Sequence, residues 1–275
     1  MKSVDNLFNI SGKVVAITGG GGILCSNIAR ALAIRGAKIA VLDIRREACE
    51  SVVDKINKEG GEAIPVTANV LEKKSLEEAK KTILDRFNRV DILINGAGGN
   101  KKEATTSEEL SFFDIPEDAI HFVFNLNFIG AFFPSQVFGK VLAEQKEGII
   151  LNISSMASLR PLTKVVGYSA AKSAINNFTQ WLAVHISREY SPKIRVNAIA
   201  PGFFLTGQNR YLLIDLKTGE MTPRGRQIID HTPMARYGNP DDLIGAVIWL
   251  ISPASEFVHG AIIPVDGGFS AYSGV

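Results

Sequence analysis

Val14-Val15-Ala16-Ile17-Thr18-Gly19-Gly20-Gly21-Gly22, leading into a helical pattern over 23–35, is the stretch from which the fold can be read. Its first five residues are apolar or β-branched with no polar alternation, as expected of a parallel strand buried on both faces. Four glycines follow. A glycine run by itself is equally a tight turn. Between a strand and a helix it reads as a phosphate cradle: backbone without Cβ lets a pyrophosphate approach, and the helix N-terminus adds oriented N–H groups.

The same rhythm continues outward from this unit. Strands are expected at 14–18, 38–43, 63–67, 91–95, 148–153, 195–199 and 261–265, with helices at 23–35, 45–58, 75–87, 117–146, 168–190 and 241–251. Gly36 and Gly60 sit where helix C-caps belong, and Pro116 and Pro240 suit helix starts. The alternation predicts an α/β fold, a Rossmann-type doubly wound parallel sheet in a single domain over 1–275. The cofactor half would cover about 1–150 and the catalytic and substrate half about 151–275. Two segments break the rhythm, Asn100–Ile115 and Thr206–Thr232. Both leave carboxyl ends of strands, where such a sheet places its ligand crevice.

Composition narrows the function classes. The 275 residues are 46% hydrophobic and 21% charged, as in a water-soluble globular protein with a large core, and the net charge of +2 is too small to suggest a nucleic-acid partner. Cys25 and Cys49 form no disulfide framework or zinc pattern, so reduced thiols in a cytoplasmic setting are expected. The four histidines show no ligand spacing, and no metal site is expected. Met1–Asn6 has no signal-peptide core, and no run approaches the roughly 18 apolar residues of a membrane span.

Asp43 ends the second strand about 20 residues beyond the glycine loop, where a carboxylate can hold the adenosine ribose hydroxyls and repel a 2′-phosphate. Arg45 and Arg46 are a counter-indication, since an arginine receives such a phosphate. Ile44 follows Asp43 directly, however, and no Arg or Lys lies in the loop. NAD is therefore expected over NADP. Asn95-Gly96-Ala97-Gly98-Gly99 reads as a second turn of close backbone approach.

Tyr168 and Lys172 are four residues apart on an expected helix and so share a face. A cation beside a phenol favours phenolate and lowers its pKa from about 10 towards neutrality. A tyrosine tuned in this way can pass protons to and from an alcohol or carbonyl oxygen. Ser155 ends the strand thirteen positions earlier and can hold that oxygen, although Ser154 offers the same chemistry. Pro201-Gly202, with Thr206, forms a turn suited to the nicotinamide carboxamide. Together with the glycine loop, these residues point to hydride transfer.

The combined motifs resemble the short-chain dehydrogenase/reductase family over essentially the whole chain. Thr18 and the glycine loop match its Thr-Gly-x-x-x-Gly-x-Gly segment, Asn95-Gly96-Ala97-Gly98 its Asn-Asn-Ala-Gly segment, and Asn127, Ser155, Tyr168 and Lys172 its catalytic tetrad. The resemblance implies Tyr168 as general acid/base, Ser155 orienting the carbonyl, Lys172 lowering the tyrosine pKa and binding the nicotinamide ribose, and Asn127 supporting a water-linked proton relay. It also implies cofactor contacts from Gly19, Gly22, Ile23, Leu24, Asp43, Asn69, Val70, Asn95, Ala97, Gly98, Tyr168, Lys172, Pro201, Gly202 and Thr206.

The chain departs from the family pattern at three positions. Ile23 and Cys25 stand where the family has its second and third glycines, and Asn69-Val70 replaces Asp-Val. Cys25 reads as a helix-packing residue whose side chain crowds the loop. The segments 176–185, 201–210, 231–234 and 264–275 resemble the branch of the family that interconverts D-mannonate and D-fructuronate. Ser155, Tyr168, Asn100, Asn209 and a cation among Arg210, Lys101, Arg160 and Lys164 would then meet a sugar-acid substrate. Another polyol, sugar, steroid or 3-oxoacyl substrate is the alternative, and a non-catalytic nucleotide sensor a further one. The intact Asn127, Ser155, Tyr168, Lys172 set argues against the sensor, because binding alone needs no proton relay. The family also implies a homotetramer built on the helices at 117–146 and 168–190.

Overall fold

The structure is a computed structural model and describes residues 3–205, 210–215 and 218–274. Seven strands form the sheet among the described residues: β1 (Val14–Thr18), β2 (Lys38–Asp43), β3 (Glu62–Thr67), β4 (Ile92–Asn95), β5 (Gly148–Ile153), β6 (Ile194–Pro201) and β7 (Ile262–Val265). All neighbours are parallel, in the order β3-β2-β1-β4-β5-β6-β7. The order reverses between β1 and β4, and the crevice of a doubly wound sheet opens above that reversal.

Alternate residues of each strand point to opposite faces, so each strand feeds two cores. Val15, Ile17, Ile39 and Val41 pack with α2 (Ile23–Ile34), α3 (Arg46–Lys58) and the late helix at 244–251. Val14, Ala16, Ala40 and Leu42 pack with α4 (Lys73–Phe87) and with the helices at 130–145 and 166–189. This double burial explains the lack of polar alternation in the strands.

Three elements differ from the sequence expectation. A one-turn helix, α1 (Val4–Leu7), precedes the sheet, capped by the Ser3 hydroxyl. The expected helix over 117–146 is interrupted: α5 (Glu117–Phe124) passes through a π-turn at Asn125–Ile129 into α6 (Gly130–Gln145). Pro134 lies inside α6, where it removes the N–H that would otherwise reach back four residues. This composite helix, Glu117–Gln145, is long and apolar enough by length and composition to span a membrane, contrary to the reading that no run approaches that length. Half of its apolar window is buried inside the protein, where Val137, Phe138 and Leu142 pack beneath the sheet.

The segment after β6 is also more ordered than a plain connection. It contains α8 (Arg210–Leu213), a bridge between Ile214 and Met221, and α9 (Pro223–Asp230). Between these two groups of elements, α7 (Val166–Glu189) runs back along β6, and α10 (Ile244–Ile251) closes the other face.

Candidate active site

Two turns meet at the carboxyl ends of β1 and β4. The Thr18 hydroxyl accepts hydrogen bonds from the backbone N–H groups of Gly96 (3.1 Å) and Ala97 (3.3 Å), stapling the glycine loop to the second turn. Gly19 has φ +64°, and a Cβ there would lie 2.8 Å from the Ala97 Cα, so both conformation and space require glycine. Gly22 is the N-cap of α2 and offers no side chain, leaving the first-turn N–H groups of Ile23 and Leu24 without a side-chain cap.

Asp43 lies at the edge of this loop. Its carboxylate accepts from Gly21 N at 3.2 Å and from the Arg45 backbone N and Nε at 3.1 and 3.3 Å. Arg46 turns away to Glu50 at 2.7 Å. The two arginines are thus held by carboxylates. Asn69 closes a local turn by accepting from Leu71 N and donating to Glu72, and Val70 packs against Gly130. Pro201 ends β6. Gly202 donates to the Val265 carbonyl at 3.0 Å, and a Cβ on it would strike the Asp266 Cα at 2.6 Å. Thr206 and Asn209 lie outside the described residues.

Asn95 differs from its expected role. Its side chain points into the core, donating to Ser135 (2.9 Å) and Asn152 (2.8 Å), and only the backbone of the following turn reaches the crevice. The strand parity that lets Gly96 and Ala97 meet Thr18 turns Asn95 inward.

The four expected catalytic residues converge. Asn127 sits in the π-turn, where its amide donates to the carbonyls of Gly99 (2.6 Å) and Val123 (2.8 Å) and accepts from Gly99 N (3.2 Å). A Cβ on Gly98 would lie 2.7 Å from the Asn127 Oδ1 and 3.3 Å from the Lys172 Nζ, which places both side chains beneath the same turn. Lys172 donates to the Ile153 carbonyl at 2.8 Å, and its Nζ lies 5.7 Å from the centroid of the Tyr168 ring. Ser155 hydrogen-bonds Tyr168, while its hydroxyl accepts from Ala157 N at 3.1 Å. Ser154 instead donates to Asn176 at 2.6 Å, so strand geometry selects Ser155.

The substrate candidates are scattered along the rim. Asn100 donates to Thr105, and the Lys101 ammonium lies 5.6 Å from the Phe122 ring centroid. Lys164 is exposed at φ +76°, and Arg210 is exposed at the start of α8. Arg160 donates from Nε to the Ser270 carbonyl at 3.1 Å, joining the loop after Ser155 to the C-terminal segment. Phe203 and His231 pack against Phe269 and Tyr272 of that segment, forming an aromatic group.

A family model described as enoyl-(acyl carrier protein) reductase matches residues 22–270. The uncharacterised oxidoreductase UxuB of Bacillus subtilis is 51% identical over 97% of this chain and 98% of its own. The chain is a short-chain dehydrogenase/reductase. A proposed D-mannonate oxidoreductase from Haemophilus influenzae, crystallised with bound NAD, superposes with a TM-score of 0.91 at 47% identity, covering 97% of this chain and 98% of that one. The 5-keto-D-gluconate 5-reductase of Escherichia coli is 33% identical over 96% of this chain and 98% of its own. This short-chain dehydrogenase/reductase is accordingly an NAD(P)-dependent oxidoreductase acting on CH–OH groups.

The electrostatics of the dehydrogenase site correct one expectation. Tyr168 is not lowered by Lys172: burial pushes the phenol above its ordinary value, and the hydrogen bond with Ser155 draws it back only in part. The ammonium lies against the ring and directs a proton at Ile153, so it gives the phenolic oxygen little help. Lys172 is itself pushed down to about 8, because burial penalises its charge. Burial likewise pushes the Cys25 thiol up to about 12. Its sulfur occupies the space in front of Gly96, where a Cβ would approach to 2.2 Å, so it packs the turn as the sequence suggested. Thr18 and Asn176 are the positions whose part sequence reasoning understated. Thr18 was legible as the first residue of the loop motif, whereas Asn176 was read only within the branch-like segment 176–185, and its one sign of a place at the site was lying eight residues past Tyr168 on one helix face.

Proposed function

We propose that this enzyme interconverts D-mannonate and D-fructuronate with NAD as cofactor. The observation that carries the chemistry is the convergence of Tyr168, Lys172, Ser155 and Asn127 beneath the turn at Gly98. The residues at the loop fit a dinucleotide. The uncapped N-terminus of α2 suits a pyrophosphate, the Asp43 carboxylate suits ribose hydroxyls, and Gly98 leaves room above Lys172. NAD supplies the hydride chemistry that no side chain here offers. Its use is supported by Asp43, by the engagement of both arginines with carboxylates, and by the NAD in the Haemophilus influenzae protein.

In the reducing direction Ser155 and Tyr168 hold the carbonyl oxygen between two hydroxyls. Tyr168 then gives its proton to the oxygen as the alcohol forms. A phenol kept protonated by burial is suited to this acid role. Lys172 and Asn127 lie next to each other below it and return the proton through water. Arg160 is the cation we assign to the substrate carboxylate: its Nε is fixed by Ser270, and its terminal nitrogens have no partner among the described residues. The first 150 residues or so act as the cofactor half and the remainder as the catalytic and substrate half.

The protein would work as a cytoplasmic homotetramer. The exposed side of α7 around Trp181 and Val184 and the Phe124, Phe128, Phe132 series are consistent with an interface between copies. The likeness to the Escherichia coli ketogluconate reductase keeps a 5-keto sugar acid as the second reading. Initial rates at the nicotinamide absorbance band, with D-fructuronate and 5-keto-D-gluconate against NADH and NADPH, test the substrate and the cofactor. Turnover of D-fructuronate with NADH supports the proposal. A preference for the other acid or for NADPH overturns the corresponding part.

A further inference from the structure

Strand β5 and helix α7 are joined by a ladder of polar contacts that runs from the core to the crevice. Asn152 donates to Thr179 at 2.9 Å, Lys172 donates to the Ile153 carbonyl at 2.8 Å, and Ser155 meets Tyr168 at the top. Asn176 occupies the remaining rung, one helical turn below Lys172 and on the same face. Both ends of its amide are used. Oδ1 accepts from the Ser154 hydroxyl at 2.6 Å, and Nδ2 donates to the Ser158 hydroxyl at 2.8 Å. Ser158 in turn spends its single proton on the Ser155 carbonyl at 2.5 Å.

The amide of Asn176 thereby grips the residues on both sides of Ser155. It draws Ser154 away from the crevice and, through Ser158, pins the backbone of Ser155 itself. The Ser173 hydroxyl gives α7 a longer second hold on this turn, donating to the Ser158 carbonyl at 3.3 Å, but it does not touch the Ser158 hydroxyl that grips the Ser155 carbonyl. We infer that Asn176 is a positioning residue, which holds the Ser155 hydroxyl in register with the Tyr168 phenol without touching substrate or cofactor. The inference rests on the reading of Ser155 as the group that holds the substrate oxygen. A hydroxyl displaced by about 1 Å costs on the order of a hundredfold in rate, because its geometry matters only at the reacting oxygen.

The test compares Asn176→Ala with the parent enzyme and repeats the change in a Ser155→Ala background, using whichever of D-fructuronate and 5-keto-D-gluconate the parent reduces. The parent's own substrate preference decides the proposed function separately. The expected result is a fall in kcat of about 10- to 100-fold with KM for NADH unchanged, and a loss of that effect once Ser155 is absent. If Asn176→Ala does not fold, Ser158→Ala breaks the same link and should give the same pattern to a smaller degree. A kcat within about twofold of the parent, or an undiminished fall in the Ser155→Ala background, overturns the inference. If neither acid is reduced, the crystal structure of the variant decides. Ser155 separated from Tyr168 supports the inference, and unchanged geometry overturns it.

Discussion

Replacing Lys172 with Met should shift the balance between stability and function at this site in a pH-dependent way. Lys172 is 5% exposed, and the one hydrogen bond its ammonium makes among the described residues is to the Ile153 carbonyl. Burial moves its pKa from 10.5 to about 8. Below pH 8 both folded and unfolded states carry the proton, and the full desolvation cost, about 3 kcal/mol, weighs against folding. Between pH 8 and 10.5 the folded site has released a proton that the unfolded chain still binds, so the stability of the parent rises with pH across this window. By pH 10 the remaining cost is under about 1 kcal/mol. Methionine avoids this cost at every pH but leaves the Ile153 carbonyl unpaired, at a roughly constant 2 kcal/mol.

The Lys172→Met variant should therefore exceed the parent by about 1 kcal/mol at pH 7 and fall below it by about 1 kcal/mol at pH 10, while turnover is lost at both. Urea unfolding of the two proteins at the two pH values measures the difference directly. A gap between variant and parent that is the same at pH 7 and pH 10 would refute the assignment of Lys172 as a desolvated ammonium.

Tyr168→Phe should lower kcat by about 10² to 10⁴ while NADH binding, followed by fluorescence titration, is retained; unchanged turnover would sink the acid role of the phenol. Asp43→Ser removes the carboxylate that holds Arg45, so the NADH-to-NADPH ratio in kcat/KM should drop about 10- to 100-fold, and a preserved ratio would count against Asp43 as the discriminator. Arg160→Ala should raise KM for the sugar acid about tenfold with little change in kcat, whereas a wild-type KM would remove Arg160 from the substrate site. Arg195→Met leaves buried acceptors at Leu250, Ser252 and Ser255 without their donor, and urea unfolding should register a loss of at least about 3 kcal/mol; a loss below about 1 kcal/mol would contradict the buried network.

Much of the fold was legible because its signals are local. Strand ends fell within two residues of expectation, since a run such as Val14–Ile17 followed by glycine needs no distant partner to declare itself. The i, i+4 spacing of Tyr168 and Lys172 likewise fixed a shared helix face before any packing was known. Even α9, which was read as part of a connection, carried a local sign in Thr222-Pro223, an N-cap followed by proline at the first helical position.

The sequence by itself therefore determined the parallel α/β architecture and the residue types that gather at its crevice. Tertiary structure alone decided which way each was used. Asn95 turned inward because Ser135 and Asn152 waited there, and Ser155 was chosen over Ser154 because Asn176, more than twenty residues away, claimed the other hydroxyl. The helix loosened into a π-turn where Asn127 reached the Gly99 backbone. The Tyr168 phenol rose instead of falling because the exclusion of water outweighed its hydrogen bond with Ser155, and Lys172 faces the ring rather than the phenolic oxygen. Periodicity and capping act between neighbours along the chain. Desolvation and competition for hydrogen-bond partners depend on residues brought together from distant positions, and only the folded chain sets their balance.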